Sequence, residues 1–311
     1  MKVYSLDNKL SYNSWTGGQL NPDYYEDYAL YFVKWIQAFK ANGIDIYSIT
    51  LQNEPLHRGN SASMYMSWPE QRDFIKDAVG PAIQKAGLRT KIYAYDHNYN
   101  YADDPVQHEY PLKIYDDAAA SLYLAGAAYH NYGGSSNELL SVQMKAPTKE
   151  LVFSEASIGE WNDGHNIAKM LPQNMRDLGL GTINKWCRAV IVWNLMLDSE
   201  RGPNRPAGCK TCYGAVDIDK SDYKTITYNS HYYMLAHLST AARTGAKRIG
   251  CNGFSVNGVT TGTFLNPDGS LGVVLLNEND SNYEISFTAS GNTYLNCRVP
   301  AHSVITLRWK E

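Results

Sequence analysis

Two carboxylates in this 311-residue chain stand where bond-breaking chemistry would need them. Glu54 follows the apolar, β-branched run Ile46 to Leu51 in the string Thr50-Leu51-Gln52-Asn53-Glu54-Pro55. The run reads as a buried strand. Pro55 ends it, because proline lacks an N–H and pushes its predecessor into extended backbone. Glu155 follows Leu151-Val152-Phe153 in the same way. Two carboxylates at strand tips are the equipment of a retaining glycosidase, in which one attacks the sugar carbon and the other gives and later takes a proton, at about 5 Å separation. Such a pair must differ in protonation before reaction, so its surroundings must push the two pKa values apart. Asn53 is placed to bond a sugar hydroxyl. Either glutamate alone reads as a loop cap; the pair carries the signal.

The elements that position them alternate. Asn21-Pro22-Asp23 suits a helix start, with a capping Asn, Pro in the first turn and Asp at the positive end of the dipole. Tyr25, Tyr28, Ala29, Phe32, Ile36 and Phe39 recur at helical spacing up to Gly43. Ser67 and Glu70 form a capping box for a second helix ending at Gly87. Lys91 to Tyr95 reads as a strand delivering Asp96, a helix follows near Pro111 to Ala120, and Ala125 to Tyr129 is a strand delivering His130 and Tyr132. Helices are expected at Asn137 to Lys145 and about Asn166 to Leu178, and a strand at Ala189 to Val192 ends on Trp193 and Asn194. Five strands alternating with helices imply a parallel sheet. Polar groups at every C-terminal end favour an α/β barrel over a doubly wound sheet, and no glycine-rich phosphate loop follows any strand.

From about Arg248 the pattern changes. Arg248 to Ser255, Val259 to Leu265, Leu271 to Leu276, Tyr283 to Thr288, Tyr294 to Val299 and Ser303 to Trp309 read as antiparallel strands of a small sandwich, reached through a helix from Ser230 to Ala241. The expected division is therefore a catalytic barrel over residues 1–245 and a β-sandwich over 246–311. Eight strands close a (β/α)8 TIM barrel. Five leave an open edge, so strands 4–8 are expected here, with about three β/α units upstream of Asn21.

Composition narrows the partners. The net charge of −3 argues against nucleic acid and anionic membranes, and no apolar run is long enough for a transmembrane helix. Most of the 24 tyrosines and 7 tryptophans read as core and interface filler; aromatic faces stack on sugar rings and nucleobases alike, and without a basic balance sugars are the better match. Five cysteines occur, and Cys209-Lys210-Thr211-Cys212 is open to three readings: half a zinc site, a redox pair or a short-loop disulfide. No second ligand pair lies nearby, and the loop is rich in Pro, Gly and Asn. A disulfide is favoured, which points to an oxidising compartment. Asp96, His97 and His130 are too sparse for a metal hydrolase, and no Gly-x-Ser-x-Gly elbow supports Ser/His/Asp catalysis. His57, His97 and His130 each read as wall residues, with His130 gaining weight from its place at a strand tip.

Thr50-Leu51-Gln52-Asn53-Glu54-Pro55, then Leu151-Val152-Phe153-Ser154-Glu155-Ala156-Ser157-Ile158-Gly159, then Trp193 to Asp198 with Gly202-Pro203-Asn204, resemble glycoside hydrolase family 30 in order and spacing. The resemblance runs on through Tyr232-Tyr233 and Ala246 to Ile249, and the segment Leu56 to Met64 with the Cys209 loop looks like the bacterial β-1,6-glucanase branch. It implies a (β/α)8 fold, no cofactor and no metal, Glu54 as acid/base and Glu155 as nucleophile. It places Asn53, Asp96, His130, Tyr132, Trp193 and Asn194 at substrate-contacting positions. The expected function is retaining hydrolysis of β-linked glucosides, either β-1,6-glucan or a glucosylceramide-like substrate. The alternatives are an inactive carbohydrate-binding fragment and a related enzyme acting on xylan or mannan. Secretion or a periplasmic location is expected, with a signal peptide lost upstream together with an aromatic and an acidic sugar contact.

Overall fold

The computed structural model describes residues 1–3, 18–59, 64–99, 107–204, 208–253, 255–288 and 294–310. Residues 60–63 of the segment after Glu54, and Phe254 in the expected strand Arg248 to Ser255, fall outside these. Two compact units divide the chain: Met1–Glu155 with Lys185–Ala189, and Ala156–Asn184 with Val190–Glu311. No helix among the described residues is long and apolar enough to cross a membrane.

The first unit is built on five strands in consecutive order, β1 (Ser48–Thr50), β2 (Lys91–Asn98), β3 (Leu124–His130), β4 (Glu150–Glu155) and β5 (Cys187–Val190). The pairs β1–β2, β2–β3 and β3–β4 are parallel, so the sheet is the parallel half-barrel of a TIM-barrel domain. Helices cover it. Asn21 accepts a hydrogen bond from the Asp23 N–H and starts a turn at Pro22–Tyr24 that leads into α1 (Tyr25–Ala41), which buries Ala29, Phe32, Val33 and Ile36. The expected second helix is interrupted: Trp68–Phe74 passes through a π-helical turn at Ile75–Val79 into Gly80–Lys85. Gly80 lies against the Tyr123 ring, so close that a Cβ would meet it at 2.3 Å. The capping box forms, with the Ser67 N–H donating to Glu70 Oε2 at 2.7 Å.

The helix expected from Pro111 to Ala120 is two helices, Tyr110–Tyr115 and Ala118–Ser121. Asp117 restarts the chain by accepting from the Ala119 and Ala120 N–H groups. At the strand beginnings, Glu150 collects Lys91 (2.9 Å), the Tyr93 hydroxyl (2.6 Å) and Arg188 (2.7 Å), tying β2, β4 and β5 together. Structural charge thus gathers at the N-terminal ends of the strands, opposite to where barrels do chemistry.

β5 begins two residues earlier than expected and ends at Val190. Ile191 and Trp193 lie outside it and are about half exposed, so the apolar run does not continue into the sheet core. In the second unit Trp193 instead pairs with Ser157, and its N–H donates to the Ala156 carbonyl at 2.8 Å. Asn194 follows with its carbonyl accepting from the Ala215 N–H. Cys209 and Cys212 are disulfide-bonded, with Cα atoms 5.6 Å apart. The expected helix from Asn166 contains a second π-helical turn at Met175–Gly179.

The C-terminal strands are antiparallel throughout. A four-stranded sheet runs in the order β6 (Lys247–Ile249), β7 (Val259–Leu265), β8 (Leu271–Asn277) and β11 (Ser303–Trp309), and a two-stranded one joins β9 (Tyr283–Phe287) to β10 (Leu295–Val299). Val273 and Leu275 from one sheet pack with Ile285, Phe287 and Val299 from the other, forming the core of a β-sandwich.

Candidate active site

Glu54 sits four residues beyond β1, with φ at +45°, a left-handed conformation that few side chains other than glycine adopt without cost. Its N–H donates to the Asp96 carbonyl at 2.9 Å, and its carbonyl accepts from the His57 N–H at 2.8 Å, closing a turn around Pro55. Glu54 is buried, 7% exposed.

Asp96 lies near the end of β2, where the chain departs from regular pairing. Tyr95 pairs with Ala128 and His97 with Tyr129, so Asp96 is bulged out of register. Tyr95 and Asp96 have φ of +74° and +72°. The Tyr95 N–H is caught by the buried Gln71 side chain at 2.8 Å. A second bulge occurs in β4: Phe153 pairs with Tyr129 and Glu155 with His130, leaving out Ser154. Strain and bulges of this kind are kept where they aim a side chain at a site.

His130 ends β3 and is 1% exposed. Its Nδ1 lies 3.1 Å from Glu54 Oε1 and its Nε2 3.1 Å from Asp96 Oδ1. Asp96 also accepts from Thr50 Oγ1 and Ser154 Oγ, each at 2.6 Å. On its other oxygen, Glu54 is met by His57 Nδ1 at 2.9 Å. Glu155 ends β4 and accepts from the Tyr132 hydroxyl at 3.1 Å; Tyr132 itself is held by the Asn98 side chain through its N–H at 3.0 Å. One carboxylate oxygen each of Glu54 and Glu155 and a ring nitrogen of His130 lie within 4.8 Å of one another.

The electrostatics follow from these contacts. Burial works to raise Glu54, but the hydrogen bonds from His130 and then His57 outweigh it and hold the carboxyl down at about 2. Burial would also raise Asp96, and the His130 contact reverses the direction. For His130, burial would lower the imidazole, yet Asp96 and Glu54 together push it up to about 9. Glu155 is raised, chiefly by burial and further by the Glu54 charge. His97, buried beside them, is pulled down to about 4 by burial. The two glutamates are thus split, but in the opposite sense to an isolated acid and nucleophile, with Glu54 lowered and Glu155 raised.

The triad of Glu54, His130 and Glu155 has the size of a metal site. Its donor set does not suit one: each nitrogen of His130 is already in hydrogen-bond contact with a carboxylate oxygen, Glu54 Oε1 on one side and Asp96 Oδ1 on the other.

Five of the expected site residues therefore come together in the first unit: Glu54, Asp96, His130, Tyr132 and Glu155. Asp96 faces inward, 6% exposed, with its oxygens taken by Thr50, Ser154 and His130. Asn53 is exposed. Trp193 and Asn194 belong to the second unit. Three participants were not singled out by sequence: Thr50, Ser154 and, as more than a wall residue, His57. Ser154 adjoins Glu155 in the string read as a strand tip, but the bulge that turns it towards Asp96 leaves no mark in residue type.

Comparison with known proteins places this site in a family. Residues 7–241 match the glycosyl hydrolase family 30 TIM-barrel domain and residues 245–307 the family 30 beta sandwich domain. An endo-1,6-beta-D-glucanase, BGN16.3 of Trichoderma harzianum, is 32% identical over 97% of this chain and 60% of its own length. The lysosomal acid glucosylceramidase of Mus musculus is 24% identical over 94% and 58%. Among solved structures, the endo-beta1,6-glucanase BT3312 superposes with a TM-score of 0.96 at 59% identity, covering 100% of this chain and 69% of that one. The chain spans about three-fifths of the length of the curated glucanases it matches. With both of its domains recognised and its strand-tip glutamates brought together, the chain belongs to glycosyl hydrolase family 30.

Proposed function

We propose that this chain carries the catalytic site of a retaining β-glycosidase that cleaves β-1,6-linked glucan within the chain. The observation that carries the mechanism is the approach of Glu54 and Glu155 to within 4.8 Å. That matches the separation of about 5–5.5 Å used by retaining enzymes and not the 6.5–9.5 Å that makes room for an attacking water in inverting ones. The substrate class rests on the endo-1,6-β-glucanases to which the chain is similar.

Glu155 is the nucleophile. Burial makes it a more basic carboxylate, and the Tyr132 hydroxyl fixes its orientation. It attacks the anomeric carbon while a proton reaches the leaving oxygen through Glu54, and Glu54 then activates the water that releases the sugar. Asn53, exposed beside Glu54, is left to bond substrate hydroxyls. The Cys209–Cys212 disulfide supports a secreted or periplasmic location; thiol alkylation of freshly lysed cells, followed by mass spectrometry, tests it by showing whether that pair is blocked.

The direct test is digestion of β-1,6-glucan by the 311-residue chain, followed by NMR of the anomeric protons. β-configured ends appearing first, on oligosaccharides of several lengths, are the expected result. An α-anomer appearing first rules out retention, and absence of cleavage rules out the activity. A 2-fluoro-glucosyl inactivator should label Glu155 and no other residue.

A further inference from the structure

We propose that His130, held by Asp96, stores the acid proton of the substrate-free site on Nδ1 and passes it to Glu54 during cleavage. The inference rests on the assignment of Glu54 as acid/base made above, and it assigns His130 and Asp96 as positioning residues that act through Glu54.

The geometry carries it. A neutral imidazole has one N–H and one lone pair. Each ring nitrogen of His130 lies 3.1 Å from a carboxylate oxygen, Glu54 Oε1 on one side and Asp96 Oδ1 on the other. While Glu54 and Asp96 are both ionised, either neutral tautomer would aim a nitrogen lone pair at a carboxylate, and only the imidazolium donates to both; a neutral ring fits only with the proton moved onto one of the two carboxyls. Asp96 cannot turn away, because Thr50 and Ser154 donate to it from β1 and β4. The ring is itself buried, so bulk water does not compete for its protons.

Other charged and titratable groups around the ring come from every strand that packs on it. Glu54 and His57 come from the segment after β1, Asp96 and His97 from β2, Glu155 from β4 and Tyr132 from the segment after β3. The three carboxylates favour the charged ring, and they outweigh the burial that opposes it. The contacts of His130 on one oxygen of Glu54 and of His57 on the other favour its carboxylate form. A general acid that rests as a carboxylate needs a donor at hand, and His130 is in hydrogen-bond contact.

The proton inventory balances over the two half-reactions. As the C1–O bond to the leaving group breaks and a C1–O bond to Glu155 forms, the leaving oxygen takes a proton from Glu54, and Glu54 takes the Nδ1 proton of His130. Glu54 is a carboxylate before and after, and His130 ends neutral. In the second half, the water that attacks C1 gives its proton to Glu54 and so back to His130, and Glu155 leaves as a carboxylate.

Two measurements test this. The first needs no activity: nitrogen-15 spectra of the imidazoles, with the His130 signals identified by their loss in His130→Gln, should show a doubly protonated ring in the substrate-free chain at pH 8. A neutral tautomer at pH 7 overturns the proposal. The second compares leaving groups. His130→Gln should lose about 100-fold or more in kcat on gentio-oligosaccharides, within the range general acid catalysis supplies, and much less on a dinitrophenyl glucoside, whose leaving group needs no proton. The basic limb of kcat/KM should move to lower pH. Equal losses on both substrates with an unmoved basic limb would overturn the proposal in favour of a structural role. Asp96→Asn keeps the shape of the site and is judged by the same criteria, so a misfolded His130→Gln does not leave the question open. If the unaltered chain cleaves no glucoside while the ring proves charged, the catalytic assignment fails and the charged clamp stands.

Discussion

Asp96 and Ser154 are the residues that β2 and β4 each leave out of register, and they hydrogen-bond to each other at 2.6 Å. Regular parallel strands alternate their side chains between two faces, so a one-residue bulge switches every later side chain to the other face. Here each bulge comes one or two residues before the strand ends. Its effect is confined to the tip, and Glu155 and Asp96 are re-aimed without disturbing the core residues Phe153 and Tyr93.

Ser154→Ala should therefore act on chemistry more than on folding. It removes one of three donors to a buried carboxylate, and a hydrogen bond to a charged group is worth about 1.5–3 kcal/mol. The expected loss in kcat is about tenfold or somewhat more, with KM little changed. An Ala variant with unchanged kcat would show that Thr50 and His130 suffice to hold Asp96.

How far the sequence reached is clearest at these tips. Ser154-Glu155 is recognisable because a change from apolar to polar residues marks the end of its strand, whereas β1 stops at Thr50 and Pro55 lies in the turn beyond it, so the proline marks the position of Glu54 without ending the ladder. The pairing of the glutamates followed from strand order in a barrel. The burial of Asp96 did not, since it depends on a bulge and two positive φ angles that residue type does not announce. β5 lies two residues before the expected strand for a similar reason: Ile191 and Val192 are as apolar as Ala189 and Val190, and only tertiary pairing decides where the ladder stops. The two π-helical turns lie where the periodicity predicts plain helix, because periodicity cannot resolve one extra residue in a turn.

Tyr132→Phe removes the hydroxyl that donates to Glu155. That bond lowers the Glu155 pKa, opposing the burial that raises it. With the bond gone the folded pKa rises further, so the acidic limb of the kcat/KM profile should move to higher pH while the basic limb stays. Loss of one donor at the nucleophile should also cost about tenfold in kcat. A pH–rate profile displaced to lower pH would contradict the role assigned to Tyr132.

Gly126→Ala should destabilise the first unit sharply. Gly126 pairs with Tyr93 on one side and Glu150 on the other, and an added Cβ would meet the Glu150 carbonyl oxygen at 1.8 Å. The obstacle is backbone, which cannot step aside as a side chain can. A cost of about 3 kcal/mol or more is expected, at the upper end of ordinary point substitutions. Urea unfolding would read it as a lowered midpoint at unchanged slope.

His231 offers a test in the second unit that is independent of catalysis. It is fully buried in the helix Ser230–Ala241, and among the described residues neither ring nitrogen has a hydrogen-bond partner. Burial pulls its pKa from 6.5 down to about 4, so the folded protein keeps the ring neutral where the unfolded chain takes up a proton. Between pH 6.5 and 4 the unfolded state binds more protons, and stability is lost as pH falls through that window, by up to about 3 kcal/mol. His231→Leu removes the titrating group and the two unpaired nitrogens together. It should raise stability at pH 5 more than at pH 7.5, where only the release of unpaired polar atoms contributes, about 1–3 kcal/mol. Equal effects at both values would mean that the folded protein accommodates a charged His231, and that its nitrogens are not shut off from a donor or acceptor.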